Sequence, residues 1–258
     1  MDFVLMENLS GVFSITMNRP ELHNAFNEQM IQELIQAFEA AEADASCRVV
    51  VLQAAGKNFS AGADLNWMKS MAKLNFDQNK ADSDELAKLM YRVYSLSKPV
   101  IAKVKGASFG GALGLIAACD MAVAVPEAKF CLSEVKIGLV PAVISPYVVE
   151  ALGVRQSRRY MQTAEVFSAD AAKQMGLLNE VVSEAELDST VQNLAQTVCA
   201  NSPQAVTTVK QLIDRVAGQP INDELIDHTS TVIAQIRVSE EGQEGLASFL
   251  EKRNPSWK

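Results

Sequence analysis

The segment Val104–Asp120 narrows the fold class of this chain more than any other part of its sequence. It reads VKGASFGGALGLIAACD, and an apolar run at residues 99–104 leads into it. Two apolar runs separated by glycines predict a strand, a tight turn and a buried helix, because glycine permits positive φ angles and close backbone approach. The first N–H groups of such a helix lack internal partners, so the turn is suited to bind negative charge. Tight packing of the helix on the strand explains the glycines equally well.

The first half of the chain alternates short apolar runs with segments of helical spacing. Strands are predicted at residues 3–6, 11–17, 48–52, 99–104 and 121–125, and helices at residues 27–43, 66–71 and 86–93. This alternation is typical of βαβ units with right-handed crossovers. Residues 75–84 are polar and show no apolar period, which predicts a surface loop.

Helical patterns dominate after about Ser145, and only residues 178–182 resemble a strand. The predicted helices cover residues 147–152, 156–162, 169–174, 184–200, 203–216, 222–237 and 240–251. We therefore predict an α/β core that is followed by a helical C-terminal part.

The composition argues against several classes of function. With 258 residues, of which 48% are hydrophobic and 21% charged, the chain has the composition of an ordinary globular enzyme. Its formal net charge of −8 argues against a nucleic-acid partner, because phosphate contacts need concentrated Lys and Arg. Four separated cysteines and two histidines give no metal-ligand spacing, so we predict no metal site.

The N-terminal sequence and the hydropathy pattern suggest a cellular location. The first basic residue is Arg19, so the charged region of a secretory signal is missing from the N-terminus. The longest apolar stretch, residues 113–125, contains Asp120 and is too short to span a bilayer. We expect a cytoplasmic protein with no membrane partner.

Two loops rich in glycine and alanine, one through Ala63 and one through Gly111, each follow a buried strand and enter a helix. Ligands of α/β sheets collect beyond the carboxyl ends of the strands, so both loops are placed to aim backbone N–H groups at one point, as in an oxyanion hole. Glu134 is the one carboxylate in a loop-like, otherwise apolar segment, where burial would raise its pKa and suit it to proton transfer. Taken singly, Glu134 and Asp64 are more often surface or helix-capping acids.

Motifs along nearly the whole chain together resemble the crotonase (enoyl-CoA hydratase/isomerase) superfamily. They are NRP at 18–20 with NA at 24–25, FSAGADL at 59–65, the glycines at 106, 110 and 111, CD at 119–120, SE at 133–134 with GLVP at 138–141, and FLEKRNP at 249–255. The resemblance implies a crotonase-like spiral of ββα units at residues 1–195. It also implies a helical trimerisation region at residues 196–258, and a homotrimer or a hexamer formed as a dimer of trimers.

The same resemblance implies the layout of a site. The N–H groups of Ala63 and Gly111 would hold the thioester carbonyl of a bent acyl-CoA substrate, with Glu134 as the acid–base group. The CoA portion would lie along Leu22, Ala25, Ala61, Asp64 and Leu65 and meet Phe249 and Lys252 on the C-terminal helix. Coenzyme A enters as part of the substrate, and no separate cofactor is expected.

Two segments, 63–68 and 133–148, more narrowly resemble bacterial methylglutaconyl-CoA hydratases of leucine and isoprenoid catabolism. This similarity implies hydration of a branched 2-enoyl-CoA, 3-methylglutaconyl-CoA, to 3-hydroxy-3-methylglutaryl-CoA. Two alternatives stay open: a Δ3,Δ2-enoyl-CoA isomerase, for which one Glu suffices, and a non-catalytic CoA- or RNA-binding homologue. Two-carboxylate hydratases of the family carry a second Glu where this chain has Gly114, so we expect Glu134 alone to handle the water and its proton.

Overall fold

A computed structural model describes residues 2–258, which form an α/β fold. The strands are β1 (Val4–Leu9), β2 (Val12–Met17), β3 (Val49–Ala54), β4 (Val100–Val104), β5 (Ala107–Phe109), β6 (Met121–Ala124), β7 (Lys129–Cys131), β8 (Phe167–Ser168) and β9 (Glu180–Val181). The helices are α1 (Glu28–Ala43), α2 (Leu65–Met71), α3 (Phe76–Tyr94), α4 (Gly111–Ala118), α5 (Ser145–Thr163), α6 (Ala169–Met175), α7 (Glu184–Cys199), α8 (Pro203–Val216), α9 (Asp223–Val238) and α10 (Glu240–Glu251). Among these residues no helix is long and apolar enough to cross a membrane.

The larger sheet has six strands in the order β1-β2-β3-β4-β6-β9. Only the β1–β2 pair is antiparallel, and the other neighbours run parallel. Helix α7 packs across β2, β3, β4 and β6, while α1 packs on β1 and β2. The first four residues of β3 are therefore buried without alternation, as is typical of a strand in a covered parallel sheet.

A second, smaller sheet contains β5, β7 and β8 and is continued by isolated bridges between Phe26 and Ala63 and between Ser60 and Ser108. A strand of the large sheet thus leads into a short strand of the small sheet and then into a helix, as in the passage from β4 through β5 to α4. Gly106 makes the turn between those two strands at φ +59°, where a Cβ would lie 2.2 Å from Lys57 O. The ββα spiral expected from the family resemblance is confirmed.

One sequence prediction is wrong, since residues 76–84 are the first turns of α3 and not a loop. Asn75 and Gln78 form a reciprocal capping box at its start. The buried side chains of α3 all lie in its second half, at Leu89, Met90 and Val93. Its exposed first half therefore needs no apolar stripe, so the sequence pattern gave no helical period there.

Helix α5 spans two segments that the sequence pattern separates, with Gly153 in a non-helical conformation at φ +74° between them. The other C-terminal helices lie where their patterns predict them. The predicted division after residue 195 falls inside α7, whose buried side chains pack on the large sheet, and the division stays a prediction. Helices α8, α9 and α10 pack on one another, and α8 buries none of its residues in the single chain.

Candidate active site

The two glycine-rich loops run side by side. Phe59 N–H donates to Lys105 O at 2.7 Å, and Ser60 is bonded through its N–H to Ala107 O and through its carbonyl to Phe109 N–H. A Cβ on Gly62, whose φ is +98°, would lie 3.2 Å from the carbonyl oxygen of Phe109. The small residues therefore let the loop of Ala63 approach the strand that leads to Gly111.

Phe26 joins the two loops from behind and is buried, with 2% of its surface exposed. Its N–H donates to Gly62 O at 2.7 Å, and its carbonyl accepts from Asp64 N–H at 2.8 Å, so it brackets Ala63. Its ring lies 3.4 Å from the point that a Cβ on Gly111 would occupy. One buried side chain thus fixes the relative position of both predicted donors. Phe26 was not predicted as a site residue, because it is one of ten phenylalanines and belongs to no motif.

The N–H groups of Ala63 and Gly111 have no hydrogen-bond acceptor among the described residues. Gly111 is the first residue of α4, where the helix dipole adds positive charge. Ala63 directly precedes Asp64, the N-cap of α2. The fold brings together two free donors on neighbouring loops, as an oxyanion hole requires.

Glu134 lies beside the same turn. The chain leaves β7 at Cys131, whose carbonyl accepts from Gly110 N–H at 2.9 Å, and Glu134 then opens a short 3-10 helix, Glu134–Ile137. A Cβ on Gly110 would lie 3.2 Å from Glu134 Oε1, so the bare glycine backbone makes room for the carboxylate. This places the predicted acid–base group next to the residue that precedes Gly111.

Glu134 is half-buried, and its Oε2 atom is buried without a hydrogen-bond partner among the described residues. Burial raises the pKa of Glu134, and a hydrogen bond from its own backbone N–H opposes this only in part. A carboxylate with a raised pKa and an unused oxygen can accept a proton and return it.

Asp64 caps α2 and forms an ion pair. Its Oδ1 accepts from the N–H groups of Asn66 and Trp67 at 2.7 and 3.2 Å, and its Oδ2 lies 2.9 Å from Arg19 Nη1. Burial alone would raise the pKa of Asp64, but these hydrogen bonds and Arg19 outweigh it and lower the pKa. The helix-capping interpretation of Asp64 is confirmed, and its contact with CoA stays a prediction.

Asn24 and Arg19, which belong to the first family motif, hold the loop in front of Ala63. Asn24 is fully buried, and its amide donates to Ala55 O and Asn58 O at 2.9 Å each. Its Oδ1 accepts from Arg19 N–H at 2.8 Å. In the sequence both residues were noted only as members of a family motif, whereas the structure shows that they position the loop.

The predicted CoA contacts fall into two groups. Leu22, Ala25, Ala61, Asp64 and Leu65 lie on two loops that are joined by a hydrogen bond from Ala61 N–H to His23 O at 2.9 Å. Of these, Leu22 and Leu65 are 44% and 73% exposed, whereas Ala25 is buried. Phe249 and Lys252 belong to the exposed end of the C-terminal helices, where α10 packs on α8 and α9.

The position expected for a second carboxylate has no room for a side chain. A Cβ on Gly114 would lie 2.1 Å from Ile144 Cγ2 and 2.6 Å from Ile144 Cβ. Ile144 is the N-cap residue of α5 and is 2% exposed. Of the two carboxylate positions of two-carboxylate hydratases, this chain therefore has only Glu134, on the 3-10 helix beside the start of α4.

The chain matches the family model described as Enoyl-CoA hydratase/isomerase over residues 7–258. It belongs to the enoyl-CoA hydratase/isomerase family. It is 32% identical to the short-chain-enoyl-CoA hydratase of Clostridium acetobutylicum, covering 97% of this chain and 95% of that one. It is 29% identical to the 2,3-dehydroadipyl-CoA hydratase of Escherichia coli, covering 100% and 99%. Among solved structures, an enoyl-CoA hydratase from Shewanella pealeana is 49% identical and superposes with a TM-score of 0.96, covering 99% and 96%.

Membership in this family makes the protein an enzyme of the enoyl-CoA hydratase/isomerase type, and an acyl-CoA thioester fits the family as substrate. The two free N–H groups and the half-buried carboxylate are the groups that such an enzyme needs at the thioester oxygen and at the reacting carbons.

Proposed function

We propose that this enzyme adds water to a branched 2-enoyl-CoA and that its substrate is 3-methylglutaconyl-CoA, which it converts to 3-hydroxy-3-methylglutaryl-CoA. The observation that carries the hydratase proposal is the half-buried Glu134 carboxylate beside the Gly110–Gly111 turn, with its Oε2 atom buried and unpartnered. The choice of acyl group rests on the sequence resemblance of residues 63–68 and 133–148.

In the proposed reaction the thioester oxygen accepts hydrogen bonds from Ala63 and Gly111. Glu134 takes a proton from water while the water oxygen bonds to C3, and the C2–C3 double-bond electrons move toward the thioester oxygen to give an enolate. The two N–H donors stabilise that charge, and one such donor typically contributes about 10²–10³ in rate. Glu134 then gives the proton to C2, so one water molecule is added and the carboxylate is regenerated.

The substrate in this proposal extends from the loops to the surface. The CoA portion follows Leu22, Ala25, Ala61, Asp64 and Leu65, and exposed Phe249 and Lys252 contact its adenosine end. No cofactor besides the CoA of the substrate takes part. Exposed Lys69 and Lys73 are candidate partners for the distal carboxylate, whereas Arg92 already pairs with Glu39 at 3.3 Å.

Replacing Glu134 by Gln tests the acid–base role. We expect kcat for 3-methylglutaconyl-CoA, followed by loss of the conjugated thioester absorbance, to fall about 10²–10⁴-fold, because Gln cannot accept the proton. Glu127→Gln is the matched control, since Glu127 is an exposed carboxylate on the turn before β7. Near-wild-type hydration by Glu134→Gln with an unchanged circular dichroism spectrum would contradict the proposal.

A Δ3,Δ2-enoyl-CoA isomerase is the second candidate, and the filled space at Gly114 favours it, because one carboxylate suffices to move a proton between C2 and C4. Incubation in H2¹⁸O separates the two. A hydratase incorporates ¹⁸O at C3, whereas an isomerase converts a 3-enoyl-CoA to the 2-enoyl-CoA without incorporating oxygen. Turnover in neither assay would favour a non-catalytic homologue, and a gel shift with RNA at physiological salt would then test nucleic-acid binding.

We also propose that the enzyme is a homotrimer or a hexamer that associates through α8, α9 and α10. The apolar residues exposed on or between these helices are Val209, Ile213, Ile221, Ile226, Ile233, Val238, Leu246, Phe249 and Leu250. Light scattering should show that Ile213→Asp lowers the mass to that of a smaller species. Gln211→Asp is the control, because residues two apart on a helix face different directions. An unchanged mass for Ile213→Asp would contradict this interface.

A further inference from the structure

Gly110 and Gly114 lie one turn apart at the start of α4. Gly110 is the N-cap residue, at φ +55°, and its carbonyl accepts the hydrogen bond of Gly114 N–H, so the two residues are about 5.4 Å apart along the helix. A Cβ on Gly110 would meet the carboxylate of Glu134, and a Cβ on Gly114 would meet the side chain of Ile144.

Ile144 occupies the space that the missing side chain of Gly114 leaves, and Met90 borders it. The sulfur of Met90 lies 3.5 Å from the point that a Cβ on Gly114 would occupy. Met90 is fully buried and Ile144 nearly so. Two apolar side chains from α3 and from the start of α5 therefore close the space one turn beyond Glu134.

From this arrangement we infer that Ile144 is a specificity-determining residue that forms the end wall of the acyl site. With the thioester oxygen at Gly111 N–H and C3 at Glu134, a C3 substituent directed along α4 meets Ile144 within one helical turn. The wall accepts a short apolar substituent and excludes a long one. This inference rests on the proposed function, because it takes the acyl site to lie between Gly111 and Glu134.

The test is the ratio of kcat/KM for trans-2-octenoyl-CoA to kcat/KM for crotonyl-CoA. In Ile144→Ala this ratio should rise at least about 10-fold over wild type, because even one methylene in an apolar pocket changes kcat/KM by 10–200-fold. A ratio of two substrates does not depend on how much of the variant is folded. Ile35→Ala is the matched control, since Ile35 on α1 is also 2% exposed, and its ratio should stay at the wild-type value.

A milder variant keeps the test valid if Ile144→Ala does not fold. Ile144→Val removes only the Cδ1 methyl, and it should raise the corresponding ratio for trans-2-hexenoyl-CoA against crotonyl-CoA. An unchanged ratio in the Ile144 variants, or an equal rise in Ile35→Ala, would contradict the proposal that Ile144 forms the end wall of the acyl site. If wild type hydrates none of these thioesters or 3-methylglutaconyl-CoA, the proposed function itself fails. If the substrates are hydrated but the ratios do not change in the Ile144 variants, the proposed function stands and only the role of Ile144 is contradicted.

The contact at Gly114 gives a second, independent readout. Gly114→Ala should abolish hydration of crotonyl-CoA, because its Cβ would lie 2.1 Å from Ile144 Cγ2. Ile144→Ala should not rescue it, since the Cβ of residue 144 would itself remain 2.6 Å away. Gly114→Ala combined with Ile144→Gly should restore hydration of crotonyl-CoA. It should also show the raised ratio of trans-2-octenoyl-CoA to crotonyl-CoA turnover that is expected for Ile144→Ala. Full activity of Gly114→Ala alone would show that Ile144 does not fill the space beside Gly114.

Discussion

The ion pair between Asp64 and Arg19 should be the interaction whose loss most destabilises the loop of Ala63. The two side chains are 8% and 12% exposed and lie 2.9 Å apart. Breaking a buried pair by removing one partner costs about 3–5 kcal/mol, because the other charge is left uncompensated. Asp64→Asn keeps the N-cap of α2, since Asn caps as well as Asp. It should therefore cost about 3 kcal/mol at neutral pH, because Arg19 then keeps the Ala25 carbonyl and the Phe3 ring but has no anionic partner among the described residues.

Two further variants separate the cap from the charge. Asp64→Ala should cost about 1 kcal/mol more than Asp64→Asn, because it also removes the cap. It should lower kcat more as well, since fraying of α2 displaces the Ala63 N–H. Asp84→Asn is the control, because the Lys80–Asp84 pair is largely exposed and should change stability by less than about 0.5 kcal/mol.

Urea unfolding followed by circular dichroism, at equal protein concentration, measures these differences. A loss of 3 kcal/mol should lower the midpoint by about 1 M. Because folding lowers the pKa of Asp64, its contribution is fully present above the unfolded pKa of about 3.9 and is lost as pH falls through the lower folded value. The difference in the free energy of unfolding between wild type and Asp64→Asn should therefore become smaller below about pH 4. A difference in the free energy of unfolding below about 0.5 kcal/mol at pH 7 would refute a stabilising role of the Asp64–Arg19 ion pair.

Three other outcomes follow from the site. Burial raises the pKa of Glu134, so kcat/KM for hydration should decline, as pH falls, at a pH above 4.5, the ordinary pKa of a glutamate side chain. A pH–rate profile with its acid limb below that pH would contradict the base role. The same burial penalises the charged form at neutral pH, so Glu134→Gln should raise the urea midpoint, and a lowered midpoint would contradict the unpartnered state of Oε2. Gly110→Ala should lower kcat about 100-fold, because its Cβ crowds Glu134 at 3.2 Å, whereas Gly138→Ala, also at positive φ but with nothing within 4 Å, carries the backbone strain alone and should keep kcat.

Local patterns predicted much of the secondary structure. Helix α1 begins after Asn27, whose side chain accepts from Met30 N–H as an N-cap. The predicted strand and helix flank the glycine-rich segment, but that segment also contains β5, and α4 begins at Gly111 and not after Gly114. The short strands β5 and β7 were missed, because three residues are too few to show a period. Residues 76–84 were wrongly predicted as a loop, because an exposed helical stretch carries no apolar stripe.

The candidate site was predicted as three residues, and the structure adds the groups that hold them. Ala63, Gly111 and Glu134 lie on adjoining segments, but Phe26 behind the two donors and Arg19 beside Asp64 were not identified. Phe26 stands in no motif and Arg19 appeared only as part of the NRP motif, because a packing ring and an ion-pair partner acquire their roles from residues far along the chain.

The sequence alone determined where the backbone turns tightly and where helices such as α1 begin, because glycine conformation and capping act within a few residues. It also showed that Gly114 carries no acid. Only the tertiary structure decided what the missing side chain means. Ile144, thirty positions away, fills that space, and the fold buries Oε2 of Glu134 beside the Gly110–Gly111 turn. A glycine in the sequence indicates that a neighbouring group lies close to the backbone, but long-range packing decides which side chain that group is.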